Sequence, residues 1–375
     1  MKHFGENSLK PLRLSAFAVK QPVPRGPDDP AVSGSPKIYI VVLNFNRGAD
    51  TAECLESLLR SDYPRFQVLV VDNCSSDGSM QQLREWAEGR REYQPPGDHP
   101  LRRLSFPPVP KPVSHALLSA PEVEENALPR PERVIFIQSD RNRGFAGGNN
   151  LGIRFALRQN DFEYLWILNN DTVVAPDAPG KLVETMRRYR TEGQKIGILG
   201  SKLLYYDAPE IIQALGGRYR KWLGVGRHVG DGERDRGQYD RLDSRPDYAV
   251  GAAMLVSREF LGKVGLLSED YFLYFEELDW ALRARRQGWE VGVCGESKVY
   301  HKEGRTIGSH ADLRRRSYQS DYYMLKNRLV FTRKFYPRCL PAIWASYAVS
   351  LARGLLFGRR ERVKVVLRIL KEEWR

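Results

Sequence analysis

The chain has 375 residues, enough for one large domain with additions or for two domains. Hydrophobic residues make up 42% of the chain and charged residues 28%, an ordinary globular balance with enough apolar material for a core. The four cysteines stand singly, without a CxxC pair or a zinc-site spacing, which argues against a zinc site and indicates reduced thiols in a cytosolic setting.

The positive charge is concentrated near the C-terminus. The whole chain carries +13, and residues 301–375 hold 18 Lys and Arg against 6 Asp and Glu, a net charge of +12. Such a segment suits anionic lipid headgroups, nucleic acid or simply solubility. The apolar stretch 14–19 is too short for a signal peptide, and the uncharged stretch 340–352 is short for a membrane span.

Prolines separate the chain into regions. Sixteen of the 23 prolines lie in residues 1–36 and 90–131, which predicts extended, mobile chain without helix or central strand. We expect a disordered lead over 1–36, a catalytic domain over 37–310 with a surface insertion at 90–131, and a basic helical extension over 311–375.

The first predicted elements are strand, helix and strand. Residues 37–43 form a β-branched run with little polarity, which is typical of a buried strand. Asp50 and Glu53 have the spacing of a capping box ahead of an apolar helical stripe. Residues 67–71 are predicted to be the second strand.

The alternation continues along the chain. Leu83 and Trp86 mark a second helix, 133–138 a third strand, 151–158 a helix after a Gly-rich turn, and 164–168 a fourth strand. This order predicts an α/β fold with a mainly parallel sheet covered by helices on both faces. Ligands of such sheets bind at the carboxyl ends of the strands.

Polar residues follow the first two strands. Asn46 comes after the first strand, and Asp72 comes at the end of the second, where a carboxylate can accept hydrogen bonds from a base or ribose. For Ser75, Ser76 and Asp77, we favour capping of the next helix.

Two further clusters follow the third and fourth strands. Residues 142–150 place three glycines before a helix, where the backbone can approach a diphosphate, although the pattern is not GxGxxG. Asp171 ends the run after the fourth strand, where a carboxylate is well placed to hold Mg²⁺ or Mn²⁺, although a lone Asp is more often a cap or turn residue.

Residues 269–280 are rich in carboxylates and aromatics and lead into a basic helix. The helix dipole alone favours this charge order, so the pattern is ambiguous by itself. The aromatic residues of this segment could line a partly desolvated pocket. His301 follows a short predicted strand, and a lone His is usually structural.

Taken together, these segments resemble the family 2 glycosyltransferases, and specifically their bacterial rhamnosyltransferase-like branch. Each segment is common by itself, but seven in this order are quite specific. The matching segments are 41–46, 70–78, 142–150, 168–171, 250–256, 272–286 and 299–304. The resemblance implies the GT-A fold.

The resemblance also implies how the donor is held. Asn46 and Asp72 would contact the nucleotide. Arg143 and the turn with Gly147, Asn149 and Asn150 would border the nucleotide and diphosphate.

The metal and the catalytic base follow from the same resemblance. Asp171 matches the metal-binding end of the family's DXD motif, and His301 matches the His that completes the metal shell in many GT-A enzymes. Glu277 matches the catalytic base, with Glu in place of the usual Asp, so Glu276 remains the second choice. Asp279, with Glu276 and Gly251, would support the acceptor side.

These roles imply an inverting single displacement. The base takes a proton from the acceptor hydroxyl, and Mn²⁺ or Mg²⁺ neutralises charge on the leaving diphosphate. A base at a helix N-terminus should stay ionised at neutral pH. A His ligand fits Mn²⁺ somewhat better than Mg²⁺.

The implied donor is dTDP-rhamnose or a UDP-sugar, and the acceptor is a saccharide or lipid-linked saccharide in cell-envelope polysaccharide synthesis. Residues 340–358 and the basic residues after them predict an interfacial helix at the cytoplasmic face of a membrane with anionic lipid, unless they pack on the domain. A homo-oligomer is compatible with the sequence.

Two alternatives remain at this point. A sugar nucleotidyltransferase should carry a Gly-rich, basic loop after the first strand, where this chain has residues 44–47. A non-catalytic module would use the basic segment to bind nucleic acid, but that segment has no nucleic-acid-binding motif, so we expect no nucleic acid partner.

Overall fold

The computed structural model describes residues 34–125, 130–241, 245–302 and 317–373. The expected disordered lead therefore lies outside the described residues, apart from residues 34–36. Residues from Ser35 onward belong to one compact unit. The four cysteines are free, as their spacing indicated.

The described strands alternate with helices through the first half of the chain. The strands are β1 (Ile38–Asn44), β2 (Phe66–Asp72), β3 (His115–Ser119), β4 (Val134–Gln138), β5 (Tyr164–Asn169), β6 (Thr172–Val174), β7 (Ile196–Tyr205), β8 (Ile212–Ala214), β9 (Gly217–Arg220), β10 (Val225–His228), β11 (Ala253–Ser257) and β12 (Glu290–His301).

The described helices cover the sheet and form the C-terminal region. They are α1 (Gly48–Leu58), α2 (Ser79–Ala87), α3 (Arg102–Ser105), α4 (Ala120–Glu125), α5 (Gly144–Gln159), α6 (Ala178–Thr191), α7 (Arg258–Val264), α8 (Glu276–Arg286), α9 (Tyr318–Phe335), α10 (Leu340–Leu356) and α11 (Arg360–Glu373), with a 3₁₀ turn at Pro337–Cys339.

The central sheet is mainly parallel, which confirms the predicted fold class. Its order is β3-β4-β2-β1-β5-β11-β7-β12-β6, and β8 pairs with β7. The first five strands of this order run parallel to one another, and β7 and β12 run parallel to each other. β11 lies antiparallel between β5 and β7, which the sequence pattern did not predict. β9 and β10 form a separate hairpin.

Helices cover both faces of the sheet. Along β1, Ile40 and Val42 join one hydrophobic cluster, while Tyr39 and Val41 join the other. Because successive side chains of a strand point to opposite faces, a strand that is apolar throughout must be covered on both. This burial fixes β1 at the centre of the molecule, with its carboxyl end free to carry a site.

The Pro-rich insertion contains regular structure, which corrects the prediction of extended chain. It holds the helix α3, the edge strand β3 and the helix α4. β3 pairs in parallel with β4, and Leu118 within it is buried. The prolines do not prevent this, because none lies inside β3 and Pro121 lies in the first turn of α4, where its missing N–H costs no helical hydrogen bond.

The last three helices pack on one another around a small core. Leu325 and Leu329 of α9 contribute to it, with Ile343 of α10 and Val365 of α11. In the described part of the chain, Pro337–Leu356 is the one helix long and apolar enough to cross a membrane. The uncharged stretch 340–352 alone is short for a membrane span, but the helix continues past the charged Arg353 to Leu356.

Candidate active site

A polar network lies at the carboxyl ends of β1, β2 and β5. Asn44 donates to Asp72 Oδ1 over 2.6 Å, and Thr51 donates to Asn44 Oδ1 over 2.7 Å. Asn170 donates to Thr51 Oγ1 over 2.9 Å. Parallel strands end at the same edge of a sheet, so residues distant in sequence meet here.

The carboxylate of Asp72 is buried and fully hydrogen bonded. Besides Asn44, it accepts from the Ser75 hydroxyl (2.5 Å), the Ser75 backbone N–H (3.0 Å) and Gln138 Nε2 (2.9 Å). Four hydrogen bonds use the capacity of a carboxylate. The structure thus gives Asp72 a role in fixing this loop, and nucleotide contact stays a prediction.

Of the three residues predicted to cap the next helix, Ser75, Ser76 and Asp77, only Asp77 does so. Ser75 binds Asp72 and does not cap a helix. The backbone N–H of Ser76 donates to Asn46 Oδ1 over 2.7 Å, with Asn46 in a left-handed conformation. Asp77 alone accepts from the start of α2, through the Ser79 N–H at 2.9 Å.

Asp171 and His301 lie together, as the resemblance implied. Asp171 Oδ1 is 3.2 Å from His301 Nε2, and both side chains are largely buried. His301 Nδ1 is 2.8 Å from Gln213 Oε1. Burial opposes ionisation of Asp171, but His301 in its protonated form and Lys302 outweigh it and hold the pKa of Asp171 below its usual range. Among the described residues no third His, Cys, Asp or Glu joins this pair to complete a metal cluster.

Lys302, next to His301, is a buried residue that the sequence analysis missed. Its ammonium lies 2.6 Å from Asp50 and 2.5 Å from Glu53 of α1. The predicted capping box is therefore wrong: no side chain caps α1, and both carboxylates turn to Lys302. Burial would raise the pKa of Glu53, but Lys302 lowers it overall. The spacing of Asp50 and Glu53 fits either role, and only the tertiary fold decides.

The Gly-rich segment begins the helix α5 itself and does not form a turn ahead of it. Gly144 has φ +68°, and a Cβ there would lie 2.3 Å from the Phe272 carbonyl oxygen. A Cβ on Gly148 would lie 2.4 Å from Leu43 Cδ1. These glycines therefore allow α5 to pack closely against β1 and against the loop before α8.

Arg143 is held at the start of α5 by two acidic residues. Its guanidinium lies 2.7 Å from Asp140 and 3.0 Å from Glu124. Gly147 faces it, since a Cβ there would lie 2.8 Å from Arg143 Cβ. Asp140 and Glu124 engage three of the five N–H donors of Arg143, and its contact with nucleotide stays a prediction.

The two asparagines of α5 are buried and tie the helix in place. Asn149 Nδ2 donates to the Phe145 carbonyl over 2.9 Å. Asn150 donates to the Leu267 carbonyl over 3.0 Å and to Glu269 over 2.8 Å. The structure therefore turns the Asn150 amide toward the 267–269 loop, and its contact with nucleotide stays a prediction.

Glu276 and Glu277 open α8 after two residues with left-handed backbone, Tyr274 and Phe275. Glu276 is 4% exposed, and its Oε2 has no hydrogen-bond partner. Burial and the neighbouring Glu277 raise the pKa of Glu276 well above its usual value. Burial also raises the pKa of Glu277 to about 7. The expectation that the base stays fully ionised at neutral pH is therefore wrong, because burial outweighs the helix dipole.

Asp279 is a structural residue within α8. Its carboxylate lies 2.6 Å from Arg283 and 2.8 Å from Lys334 of α9, and it accepts from the Tyr271 hydroxyl over 3.2 Å. These three donors hold the Asp279 carboxylate, and its predicted role on the acceptor side stays a prediction.

Gly251 precedes β11 and faces the start of α5. A Cβ there would lie 3.3 Å from the edge of the Phe145 ring. The backbone N–H of Phe145 in turn donates to the Phe272 carbonyl over 2.9 Å. Gly251 thus lies beside the loop that leads to α8, consistent with a supporting position.

Comparisons with known proteins agree with the fold. The model of glycosyl transferase family 2 matches residues 39–101 and 119–222. The low-salt glycan biosynthesis hexosyltransferase Agl10 of Haloferax volcanii is 25% identical over 173 residues, 45% of this chain and 52% of that protein. The dTDP-rhamnosyl transferase RfbF of Shigella flexneri is 25% identical over 215 residues, 54% of this chain and 64% of that protein.

Solved structures give the same fold. The crystal structure of GalNAc-T7 with UDP, GalNAc and Mn²⁺ aligns with a TM-score of 0.52 at 15% identity, covering 88% of this chain and 55% of that one. This chain thus spans less than two thirds of the length of each of these three proteins. The family match, the two curated relatives and the sheet with its strand-end residues lead to one conclusion: the chain is similar to glycosyl transferase family 2 over residues 39–101 and 119–222 and has the GT-A fold.

Proposed function

We propose that this chain transfers a sugar from a nucleotide-sugar donor to a saccharide hydroxyl, by a metal-dependent single displacement that inverts the anomeric centre. The observation that carries the proposal is the close approach of Asp171 Oδ1 and His301 Nε2, 3.2 Å apart at the carboxyl edge of the sheet. The match to the family model supports it, because glycosyl transfer is the chemistry that the family description names.

The pair fits a divalent cation. In the neutral imidazole whose proton lies on Nδ1, His301 donates to Gln213 Oε1, and its Nε2 then presents a lone pair toward Asp171. Two acceptor atoms at this distance repel unless a cation or a proton lies between them. Asp171 and His301 would hold Mn²⁺ or Mg²⁺, which supplies neutralisation of the charge on the leaving diphosphate.

Glu277 is the proposed base. It is partly buried at the first turn of α8, and the raised pKa of its carboxylate suits proton transfer near neutral pH. It would accept the proton of the acceptor hydroxyl as that oxygen attacks the anomeric carbon. Glu276 is deeper and keeps its proton more tightly, which makes it the second choice.

The proposed donor is dTDP-rhamnose, with a UDP-sugar as the alternative. The relative named a dTDP-rhamnosyl transferase motivates rhamnose, at 25% identity. The acceptor would be a saccharide or lipid-linked saccharide used in cell-envelope polysaccharide synthesis on the cytoplasmic side of the membrane.

A thermal-shift panel of nucleotide sugars, each with and without Mn²⁺ or Mg²⁺, tests the proposal. We expect one donor to raise the melting temperature only when the cation is present. Asp171→Asn should abolish this shift, and Asp207→Asn, at an exposed carboxylate, is the matched control. NMR of the anomeric proton in the product then tests inversion. A donor shift that is equal without cation would refute the metal role.

A further inference from the structure

The outer face of α10 is apolar and exposed. Val349, Leu355 and Leu356 on this face are 55%, 67% and 79% exposed. Positions three and four apart share one side of a helix, so the exposed residues form a continuous stripe. We call this the outer stripe; it comprises Pro341, Ala345, Ala348, Val349, Ala352, Leu355 and Leu356.

The opposite face of α10 is fixed to the protein. Ile343 and Tyr347 are buried against α9 and α11, and the Tyr347 hydroxyl donates to the Leu325 carbonyl over 2.5 Å. Gly354 lets α11 approach, since a Cβ there would lie 2.7 Å from Val363. α10 therefore lies along the molecule with its outer stripe uncovered, and leaving to span a bilayer would break this packing.

The hairpin of β9 and β10 brings a second apolar element to the same helices. Trp222, Leu223 and Val225 at its tip are 56%, 52% and 43% exposed. Gly224 between them has φ +63°, and a Cβ there would lie 2.6 Å from Arg328 Cδ and 2.8 Å from Ile343 Cδ1. The hairpin tip, residues 222–225, therefore lies directly against α9 and α10.

The surroundings of both elements are cationic. Neither residues 217–230 nor residues 337–360 contain an Asp or Glu. Tryptophan and basic residues around an apolar surface are typical of proteins that lie in the interface of an anionic bilayer. The exposed basic residues within these two ranges are Arg218, Arg220, Lys221, Arg227, Arg338, Arg353, Arg359 and Arg360.

We infer that the outer stripe and the hairpin tip form one docking face for the surface of an anionic lipid bilayer. The positive charge around this face favours an anionic bilayer as its partner. A second copy of the chain would bring the same unbalanced cations into contact, which is repulsive, whereas anionic headgroups attract them and the acyl region accepts the apolar side chains.

The helix α9 connects this face to the loop before the proposed base. Asn327 Nδ2 donates to the Leu273 carbonyl over 2.7 Å, and the Ser320 hydroxyl lies 2.8 Å from the Tyr274 hydroxyl. Arg328, the next residue along α9, contacts the hairpin tip through the Leu223 carbonyl. Docking would therefore hold the face and this loop in one fixed arrangement.

Co-sedimentation of the full chain with vesicles tests the inference. Vesicles of phosphatidylglycerol and phosphatidylcholine should bind the chain, and vesicles of phosphatidylcholine alone should bind it weakly. Trp222→Ala and the double substitution Leu355→Ser with Leu356→Ser should each lower the partition coefficient on the order of tenfold, because each removes apolar insertion. Leu117→Ser, at an exposed leucine of β3 outside this face, is the matched control.

The variants should keep the wild-type melting temperature, since the substituted side chains are exposed. Equal binding of wild type, Trp222→Ala and the double variant would overturn the inference. Equal binding of the wild type to neutral and anionic vesicles would also overturn the inference. A third contrary result is a wild type that does not bind vesicles but forms concentration-dependent dimers in sedimentation velocity, with the dimers lost in Trp222→Ala. None of these readouts involves sugar transfer, so they remain informative if the proposed activity is wrong.

Discussion

Glu277→Gln is the sharpest test of the proposed chemistry. The substitution keeps the size and hydrogen-bonding capacity of the side chain and removes the carboxylate that would accept the proton. Donor binding should change little, because the proposed cation ligands are other residues on other elements: Asp171 follows β5, and His301 ends β12. The loss should therefore appear in turnover.

The expected fall in turnover is about 10²–10⁴, the usual contribution of a positioned general base. At about 1.4 kcal/mol per tenfold change, this corresponds to about 3–5 kcal/mol in the activation barrier. Burial raises the pKa of Glu277 to about 7, so the wild-type rate should climb with pH until the carboxyl is deprotonated, with a midpoint near pH 7. The variant should lose this rise.

The assay is transfer rate against pH, with donor affinity measured in parallel by calorimetry. Glu276→Gln is the matched control, since Glu276 is the neighbouring carboxyl with a raised pKa. Near-normal turnover in Glu277→Gln together with loss in Glu276→Gln would move the base one residue back. If neither substitution lowers turnover, the inverting mechanism proposed here is wrong.

Three further outcomes follow from the structure. Asp171→Ala should abolish cation-dependent donor binding in calorimetry, and His301→Ala should weaken it; unchanged cation dependence in the Asp171 variant would remove the proposed site. Asp279→Asn should lower the free energy of unfolding by about 2 kcal/mol in urea titrations, because its partners are charged but partly exposed and stay hydrated. Glu276→Gln should stabilise the chain more at pH 8 than at pH 5: the folded-state pKa of Glu276 is raised, so the wild type loses stability as pH rises above the unfolded value of about 4.3. Equal melting-temperature differences at the two pH values would contradict this.

The sequence predicted the parallel half of the fold because its signals are local. The strands β1, β2, β4 and β5 each begin and end within one residue of the predicted bounds, since fully apolar runs of this length fit buried parallel strands. β11 was missed because its antiparallel pairing depends on which strands lie beside it, and no residue within 253–257 encodes that direction.

The site was predicted less completely than the strands, because its contacts join residues that are far apart in the sequence. Asp171 and His301 are 130 residues apart, and the family resemblance brought them together where periodicity could not. Lys302 was missed because its partner Asp50 lies 252 residues away, and a capping box explains Asp50 equally well from sequence. Glu277 was placed correctly at the start of a helix, but the extent of its burial depends on the packed fold and reversed the expected ionisation.

The C-terminal helices cannot be treated as a detachable extension of the catalytic domain. Lys334 of α9 pairs with Asp279 of α8, and Asn327 holds the Leu273 carbonyl in the loop before Glu276. Deletion after Arg338 would keep these contacts, since α9 ends at Phe335, but it would uncover the side of α9 that packs on α10 and α11. If such a truncated chain failed to bind vesicles, the result would not distinguish loss of the docking face from damage to the core of the C-terminal helices. Substitutions of exposed side chains separate the two, because they remove apolar surface and leave the inner face of α10 in place.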